Sequence, residues 1–424
     1  RIRPFMTSSR GKRFLVNALI YLGIIAVTVL VVDGVLILTA MFPPTHNYGD
    51  PDVGWRPVAA TGKMAIGKCM EFSTGEMISF MRNEDGVRVG ISRDSIMRDS
   101  VSARIAVTGD SHTDLCATNE QLHSGVMVSE LKRAGIPAIA LSYGAGKYSP
   151  LQDYLAFRKV LRPYQPDVLI INLYTGNDFY DLLRVDDRPH FVKTKSGYRI
   201  SDPVWFLLDD PNTRRKSRVL FAAKSLLDLT GVRRIYFRLS ELRALAVEQG
   251  GNLRSVIAYV QDIYRAREPT LGYPDALNAQ ILNQQLFFHH FPTAKEETIA
   301  RLRALMTLVK RENPGLILVM SALPSYQLTG EQPVDAALTN TLERLPISYE
   351  EGKRQETEMY ERLRRLSLEQ GWIFVDNLKA LHGYSGSDRL YNNFDYHLLP
   401  PASALIGRAQ ADALADVLRE RTDA

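Results

Sequence analysis

The sequence predicts an α/β fold, a three-layer α/β/α sandwich around a five-stranded and mainly parallel sheet. Five short apolar runs bounded by Gly, Pro or Asp have the composition of strands that are covered on both faces. Amphipathic stretches of helical length alternate with these runs, as in a doubly wound sheet. A long apolar stretch near the N-terminus adds one transmembrane helix to the prediction, and a long gap between two strands adds a helical insertion.

The predicted elements alternate along residues 101–424, which we expect to form one domain. The strands are predicted at residues 104–108, 138–142, 168–174, 316–321 and 372–375. The helices are predicted at residues 120–133, 150–161, 295–310, 350–370 and 401–420. The gap at residues 179–294 is too long for a plain crossover, so it is predicted to be an insertion with helices of its own. Residues 43–100 contain Pro and Gly with weak periodicity, which predicts a connector.

Residues 14–42 form an apolar run whose only charged side chain is Asp33. A bilayer crossing needs about 20 apolar residues, so this run is long enough to span. A cleaved signal peptide is the alternative, but its apolar core is about 7–15 residues long and is followed by a small-residue cleavage motif. An uncleaved signal anchor is therefore predicted. Asp33 either faces a partner helix or water, or lies near the interface if the span ends at about residue 32.

The charge of the chain is distributed unevenly. Its 52 Lys and Arg against 47 Asp and Glu give a net charge of +5 over 424 residues. Five of the cations precede the apolar run, which predicts that residues 1–13 are a cytoplasmic tail and that the chain after residue 43 lies outside the cytoplasm. The remaining charges nearly balance, so a basic surface for nucleic acid is excluded.

A second basic cluster lies inside the predicted insertion, at residues 213–243. The cluster contains nine cations and only two acids, Asp228 and Glu241. The cations are Arg214, Arg215, Lys216, Arg218, Lys224, Arg233, Arg234, Arg238 and Arg243. A solvated helix face explains such a run. The alternatives are a binding surface for an anionic glycan, for anionic lipid headgroups or for a partner subunit. A membrane-protein partner is also an alternative for the helix that carries Asp33.

The cysteines and histidines bear on redox state and metal binding. The two cysteines, Cys69 and Cys116, can form a bridge in an oxidising compartment, but two in a chain of this length are no disulfide framework. The sequence leaves the bridge open. The adjacent pair His289 and His290 does not face one ligand on a helix or strand, so no metal and no cofactor are predicted.

Reactive groups in doubly wound sheets collect in the loops at the carboxyl ends of the strands. The first predicted strand ends in Gly-Asp-Ser at residues 109–111, where Ser111 exposes its hydroxyl on a turn before a helix and its N–H can stabilise an oxyanion. An ordinary helix N-cap is the alternative for this serine. The second strand ends near Gly144, which offers an unobstructed N–H, and the third ends at Asn177, whose amide is a candidate oxyanion donor. Simple turns are the alternatives for both.

The last predicted loop carries an acid and a base. Asp395 and His397 lie two residues apart, just before the C-terminal helix. A nucleophilic serine needs a base within hydrogen-bond distance and a carboxylate that orients this base. One backbone segment therefore supplies both partners for Ser111, which distinguishes His397 from the other members of a set of eight histidines.

Together these four loops resemble those of the SGNH, or GDSL-type, hydrolases, whose sheet is flavodoxin-like. The matching blocks are GDS at residues 109–111, Gly144 in SYGAGKYSPLQ, GND at residues 176–178 and DYH at residues 395–397. The resemblance implies that Ser111 is the nucleophile and His397 the base, oriented by Asp395. The implied oxyanion hole consists of the N–H of Ser111, the N–H of Gly144 and the side chain of Asn177. The supporting residues of these blocks are Asp110 and Asp178.

Two positions depart from the family pattern. The usual spacing of the last block is D-x-x-H, but Phe394 stands at the position of the acid, so the D-x-H form of Asp395 remains. Family members that acylate or deacylate exported polysaccharides, including alginate acetylation proteins, often have D-x-H. Ser142 stands where many relatives have Asn, which leaves Gly146 as an alternative to Gly144.

The resemblance implies acyl transfer through a serine acyl-enzyme. The leading hypothesis is a membrane-anchored O-acyl esterase or acyltransferase that acts on acylated carbohydrate in the bacterial periplasm, with its N-terminus in the cytoplasm and its single span in the inner membrane. A lipid esterase or thioesterase is the alternative enzyme. A catalytically silent subunit that binds a membrane protein complex is the alternative from another class.

Overall fold

A computed structural model describes residues 47–201, 253–267, 275–331, 345–392 and 396–422, apart from gaps at 51, 58–63, 72–74, 101 and 185–187, together with eight positions between residues 17 and 31. The strands are β1 (Asn47–Asp50), β2 (Gly54–Pro57), β3 (Ala65–Met70), β4 (Met77–Arg82), β5 (Ala103–Gly109), β6 (Ala138–Gly144), β7 (Val168–Tyr174), β8 (Phe191–Thr194), β9 (Gly197–Ile200), β10 (Ile317–Leu323) and β11 (Ile373–Asp376). The helices are α1 (Arg93–Arg98), α2 (His123–Arg133), α3 (Pro150–Ala156), α4 (Asp178–Asp181), α5 (Leu253–Arg267), α6 (Asp275–His290), α7 (Ala294–Glu312), α8 (Tyr326–Thr329), α9 (Tyr349–Glu369), α10 (Asn377–His382) and α11 (Pro400–Thr422).

The central sheet has five strands in the order β11-β10-β7-β5-β6, and each of its described pairings is parallel. The five predicted strands are confirmed, because each lies within two residues of an observed strand at both ends. Strand β7 is buried along its whole length. A strand covered on both faces needs apolar residues on both, which is why its sequence reads as a continuous apolar run.

Helices cover both faces of this sheet. Val168 and Ile170 of β7 belong to a core that also contains residues of α2 and α11. Leu169 and Ile171 belong to a second core, which contains residues of α3, α7 and α9. Successive side chains of a strand point to opposite faces, so the two cores lie on either side of the sheet and form the predicted three layers.

The chain order places a switch point between β5 and β7. After β5 the chain adds β6 on one side of it, and then returns to add β7, β10 and β11 on the other side. In doubly wound sheets, ligands bind outside the carboxyl ends of the strands at such a point. The loop that follows β5 therefore lies where a functional site is expected.

Residues 43–100 contain more structure than the predicted connector. Their described part forms two antiparallel hairpins, β1–β2 and β3–β4, and the short helix α1. The side chain of Lys159 forms an ion pair with Asp50 of the first hairpin at 2.8 Å. The backbone of Arg88 forms an isolated antiparallel β-bridge with Ser142 of the edge strand β6. The four strands are four to six residues long and polar residues interrupt them, so no apolar run marks them in the sequence.

A disulfide between Cys69 and Cys116 joins the hairpin β3–β4 to the loop after β5. Arg82, at the end of the hairpin, binds both carboxylate oxygens of Asp114 on the same loop, at 2.6 and 2.7 Å. Arg88 lies 3.2 Å from this carboxylate. The bridge that the sequence leaves open is therefore present, and it reinforces an ion-paired contact between the hairpin and the loop.

Parts of the predicted organisation lie outside the described residues. The insertion at 179–294 contains α4, the antiparallel hairpin β8–β9, α5 and α6 in its described part, whereas the tail at 1–13 and the basic cluster at 213–243 are not described. Of the predicted span at 14–42, eight helical positions are described, and these are Asn17, Ile20, Tyr21, Gly23, Ile24, Val27, Thr28 and Val31. Within the described part of the chain, none of the helices has both the length and the apolarity that a bilayer crossing demands.

Removal of the disulfide is expected to destabilise the fold. The bridge joins residues 47 apart in sequence. Loss of this closed loop gives the unfolded chain more conformational entropy, equivalent to about 2–4 kcal/mol. We therefore expect replacement of Cys69 and Cys116 by Ser to lower the free energy of unfolding by about this amount in urea titrations. Dithiothreitol should destabilise the wild type equally and leave the double variant unchanged, and equal unfolding midpoints of the two proteins would contradict the prediction.

Candidate active site

Ser111 and His397 meet at the carboxyl end of the sheet. Ser111 follows β5, and His397 lies on the loop between α10 and α11. The Nε2 atom of His397 is 2.8 Å from the Oγ atom of Ser111. At this distance the imidazole can take the hydroxyl proton directly, and both side chains are only half-buried. The structure thus brings together the two residues that the sequence pairs as nucleophile and base.

A tight turn after β5 presents Ser111. The backbone N–H of Thr113 donates to the carbonyl of Asp110 at 3.1 Å, and the backbone N–H of His112 donates to the Oδ1 atom of Asp110 at 2.8 Å. Gly109 must lack a side chain, because a Cβ there would lie 2.1 Å from Oγ1 of Thr113. The helix predicted to follow the serine is separated from it by this turn and the rest of the loop, because α2 begins farther along the chain.

Two backbone hydrogen bonds fold the loop of His397 back on itself. The N–H of Asn392 donates to the carbonyl of His397 at 2.9 Å, and the N–H of Tyr396 donates to the carbonyl of Asn392 at 3.1 Å. Tyr396 has a φ of +56°, in the left-handed region that side chains other than Gly rarely adopt. Its buried ring stacks on Tyr326 with centroids 4.3 Å apart, which offsets the strained backbone. Asp395 lies outside the described residues, so its orienting role stays a prediction.

The two candidate glycines of the second loop have different surroundings. A Cβ on Gly144 would lie 2.8 Å from the carbonyl oxygen of Gly109 and 2.9 Å from that of Asp110. A Cβ on Gly146 would lie 4.0 Å from the Cβ of Ser111. Gly144 therefore allows the backbone of β6 to approach the nucleophile turn, and Gly146 is the residue that faces the nucleophile itself.

Asn177 is buried at the start of α4 and contacts two acids. Its Nδ2 atom donates to Oδ1 of Asp178 at 3.2 Å and to Oδ2 of Asp181 at 2.7 Å. Its own Oδ1 has no hydrogen-bond partner in the described part of the chain. Asp178 in turn accepts a hydrogen bond from the backbone N–H of Tyr174 at 2.8 Å. Both amide protons of Asn177 are thus engaged. The amide can donate to an oxyanion, as predicted, only after one of these two hydrogen bonds has broken.

Burial raises the pKa of three acids around the nucleophile turn, which are Asp110, Asp153 and Asp178. Desolvation raises the pKa of Asp110 to about 7, although the charge of His397 favours the carboxylate. Desolvation, followed by the charges of Asp110 and Asp153, raises the pKa of Asp178 well above its usual range. Asp178 is therefore neutral, and the negative charge beside the nucleophile is smaller than it would be if every nearby acid were ionised.

His112 belongs to the site although no sequence pattern marks it. Its fully buried ring stacks on Tyr174 with centroids 3.7 Å apart and an interplanar angle of 18°. It also stacks on His397, with centroids 4.7 Å apart and an angle of 28°. The position next to Ser111 is the only sign in the sequence, because Tyr174 and His397 reach this ring through the fold.

No metal centre is found in the described ranges. No group of three or more His, Cys, Asp or Glu side chains among these residues is arranged to hold a metal ion. In the adjacent histidine pair, Nε2 of His290 contacts Oδ2 of Asp262 at 2.8 Å, which links α6 to α5. This pair therefore has a structural partner within the insertion.

Ser111 and His397 have the arrangement of a nucleophile and a general base. A serine hydroxyl is a weak nucleophile at neutral pH and becomes reactive when an adjacent base accepts its proton. Here the base is a half-buried imidazole at hydrogen-bond distance. It lies at the carboxyl end of the sheet, where substrates of such folds bind. The site therefore has the groups needed to form and resolve an acyl-serine.

Comparison with known proteins gives distant similarities of fold. No family model and no curated protein matches the chain. A catalytic mutant of an acetylxylan esterase from Geobacillus stearothermophilus is 10% identical over 74% of this chain and 96% of its own, with a TM-score of 0.36. A lipolytic protein of the G-D-S-L family from Desulfitobacterium hafniense is 10% identical over 74% and 100%, with a TM-score of 0.34. A lipase/acylhydrolase from Enterococcus faecalis is 9% identical over 74% and 96%, with a TM-score of 0.34. These values are too low to support a functional assignment.

Alanine substitution is expected to separate the roles of the two glycines. In Gly144→Ala the new Cβ meets two backbone carbonyl oxygens, so the nucleophile turn must shift and stability should fall by about 1–3 kcal/mol. In Gly146→Ala the new Cβ lies 4.0 Å from the Cβ of Ser111, an ordinary contact distance, so stability should change little. Ester turnover should fall, because the added methyl group lies beside the nucleophile. Thermal unfolding and kcat/KM of each variant measure this. Equal stability losses in both variants would contradict the distinction.

Proposed function

We propose that the chain is a serine O-acyl esterase or acyltransferase that acts on acylated carbohydrate. The observation that carries the acyl-transfer chemistry is the 2.8 Å contact between Oγ of Ser111 and Nε2 of His397. The choice of carbohydrate is supported by the D-x-H form of the DYH block at residues 395–397, which resembles that of polysaccharide O-acetylation proteins. The acyl group is carried by the serine between two half-reactions.

In the first half-reaction, Oγ of Ser111 attacks the carbonyl carbon of the ester while Nε2 of His397 takes the hydroxyl proton. The carbonyl electron pair moves to oxygen and gives a tetrahedral oxyanion. When the carbonyl re-forms, the bond to the alcohol oxygen breaks, and this oxygen receives the proton from Nε2. The products are an acyl-serine and a free hydroxyl on the carbohydrate.

In the second half-reaction, an acceptor oxygen attacks the acyl-serine. His397 takes the acceptor proton and returns it to Oγ of Ser111 as the acyl group leaves. Water is the acceptor in an esterase, and a sugar hydroxyl is the acceptor in an acyltransferase. Both reactions use the same protein groups, so the acceptor that reaches the acyl-serine decides the outcome.

We assign the remaining roles as part of the same proposal. The oxyanion receives the backbone N–H of Ser111 and a backbone N–H of the second loop. Gly144 and Gly146 are the two candidates for that donor, and the Cβ position of Gly146 lies 4.0 Å from the Cβ of Ser111. Asn177 joins the oxyanion hole once its amide leaves one of the neighbouring acids. Asp395 orients His397 through the ring nitrogen that does not face the serine.

We infer that the protein is anchored in the bacterial inner membrane by residues 14–42, with the catalytic domain in the periplasm. The described apolar side chains of this stretch support the proposal, because they are 53–66% exposed on a helix, namely Ile20, Tyr21, Ile24, Val27 and Val31. The disulfide Cys69–Cys116 is typical of an oxidising compartment. A membrane-protein partner at Asp33 or at residues 213–243 remains part of this proposal.

Ester turnover with matched serine variants tests the proposed activity. The full chain in detergent micelles is assayed with p-nitrophenyl acetate, p-nitrophenyl palmitate and an acetylated oligosaccharide. We expect Ser111→Ala to lower kcat/KM by about 10³-fold or more, because it removes the nucleophile. Ser129→Ala is the control, since this serine is exposed on α2 and donates to the carbonyl of Gly125.

The substrates separate the alternatives. Turnover of the acetyl esters that depends on Ser111 supports the proposal, and adding a deacetylated oligosaccharide acceptor reveals acyl transfer. Preference for the palmitate ester would favour a lipid esterase. A folded wild type with no turnover beyond that of Ser111→Ala would overturn the enzymatic proposal and favour the silent subunit.

A further inference from the structure

We propose that His112 is a positioning residue for the base His397: its ring, stacked on Tyr174, is the surface on which the imidazole lies and the imidazolium is stabilised during acyl transfer. The inference rests on the proposed function and deepens it. The rings of Tyr174 and His112 have centroids 3.7 Å apart, and those of His112 and His397 are 4.7 Å apart. Stacking restricts the tilt of the His397 ring, whose Nε2 must keep its 2.8 Å contact with Ser111.

His112 acts on His397 through the face of its ring, because its ring nitrogens form no hydrogen bond in the described part of the chain. The ring is 0% exposed, and neither of its nitrogens has a hydrogen-bond partner in the part of the chain that the structure describes. Desolvation, followed by the charges of His397 and His123, lowers the pKa of His112 well below its usual range. The ring is therefore neutral at physiological pH, and it neither relays a proton nor repels a charged His397. A buried imidazole with no hydrogen bond is costly, which indicates a role that a smaller apolar residue would not fill.

The neutral stack favours the charged form of His397. The face of an aromatic ring carries partial negative charge, so a cation placed over it is attracted. His397 becomes a cation when it takes the proton of Ser111, and the stack thus acts in the transition state more than in the resting enzyme. Positioning and charge stabilisation have the same geometric requirement, a flat and neutral ring at residue 112.

Other titratable groups near the two rings act on the same charge. Asp110, on the nucleophile turn, favours the charged form of His397, and Asp181 from α4 acts on Asp110. His123 of α2 faces His112, and its Nε2 contacts Asn172 at 3.4 Å. Tyr174 belongs to β7, and Asp395, two residues before His397, lies outside the described residues. These groups are the same in all variants at residue 112. A difference between variants in the titration midpoint of His397 therefore comes from the side chain at residue 112.

The test replaces the ring at residue 112 and follows the titration of His397. His112→Phe keeps an aromatic face without ring nitrogens, pentafluorophenylalanine at this position keeps the shape but withdraws electrons from the face, and His112→Leu removes the aromatic ring. The readouts are the pH profile of kcat/KM with p-nitrophenyl acetate and the nuclear magnetic resonance titration of His397 in histidine-labelled full chain. The exposed His289→Leu on α6 serves as the matched control.

We expect His112→Leu to move the titration midpoint of His397, and the acidic limb of the profile, to lower pH by about 0.5–1 unit. We expect kcat/KM to fall roughly 3–10-fold with little change in KM. Phe should restore the wild-type midpoint, and pentafluorophenylalanine should not. Equal midpoints for Phe and pentafluorophenylalanine would overturn the proposal, and this comparison holds even if the Leu variant does not fold.

The two proposals fail in different ways. If the wild type turns over no ester, the proposed function fails, and the resonance titration still shows whether the stack raises the midpoint of His397. If turnover depends on Ser111 but all folded variants share one midpoint, the proposed function stands and the positioning role of His112 is overturned.

Discussion

The hydrogen bond between Ser111 and His397 is the contact on which the rest of the site depends. It joins residues 286 apart in sequence, so no local segment can form it alone. The loop of His397 is fixed at the end of β10, where the hydroxyl of Tyr391 donates to the carbonyl of Pro324 at 2.7 Å and the ring of Tyr396 packs on α8. Because β7 lies between β10 and β5, the order of the sheet sets the distance between base and nucleophile. The chemistry is thus a consequence of topology.

Desolvation controls the charges around this bond. Burial keeps His112 neutral, raises the pKa of Asp178 well above its usual range and raises that of Asp110 to about 7. His112 and Asp178 therefore carry no full charge beside this bond at rest. The imidazolium that forms on His397 during acyl transfer is then a large change in charge within low-dielectric surroundings. Interactions with that cation count more here than they do in water.

Much of the fold could be predicted from the sequence, and the reasons are physical. A strand such as β7 needs apolar side chains on both faces, and β5 and β7 end just before Ser111 and Asn177. The hairpin β3–β4, the pairing of Cys69 with Cys116 and the rings stacked on His112 could not be predicted. The strands of this hairpin are short and interrupted by polar residues, so no apolar run marks them. The disulfide and the stacked rings join residues that tertiary packing brings together, and neither periodicity nor spacing encodes such contacts.

Covalent labelling locates the nucleophile without any assumption about the substrate. A fluorophosphonate reacts with a serine only when a neighbouring base activates it, and mass spectrometry of the digested full chain identifies the modified residue. The geometry predicts a single adduct on Ser111, slowed strongly in His397→Ala and absent in Ser111→Ala. An adduct on another serine, or no adduct on the folded wild type, would contradict the assignment of Ser111 and His397 as nucleophile and base.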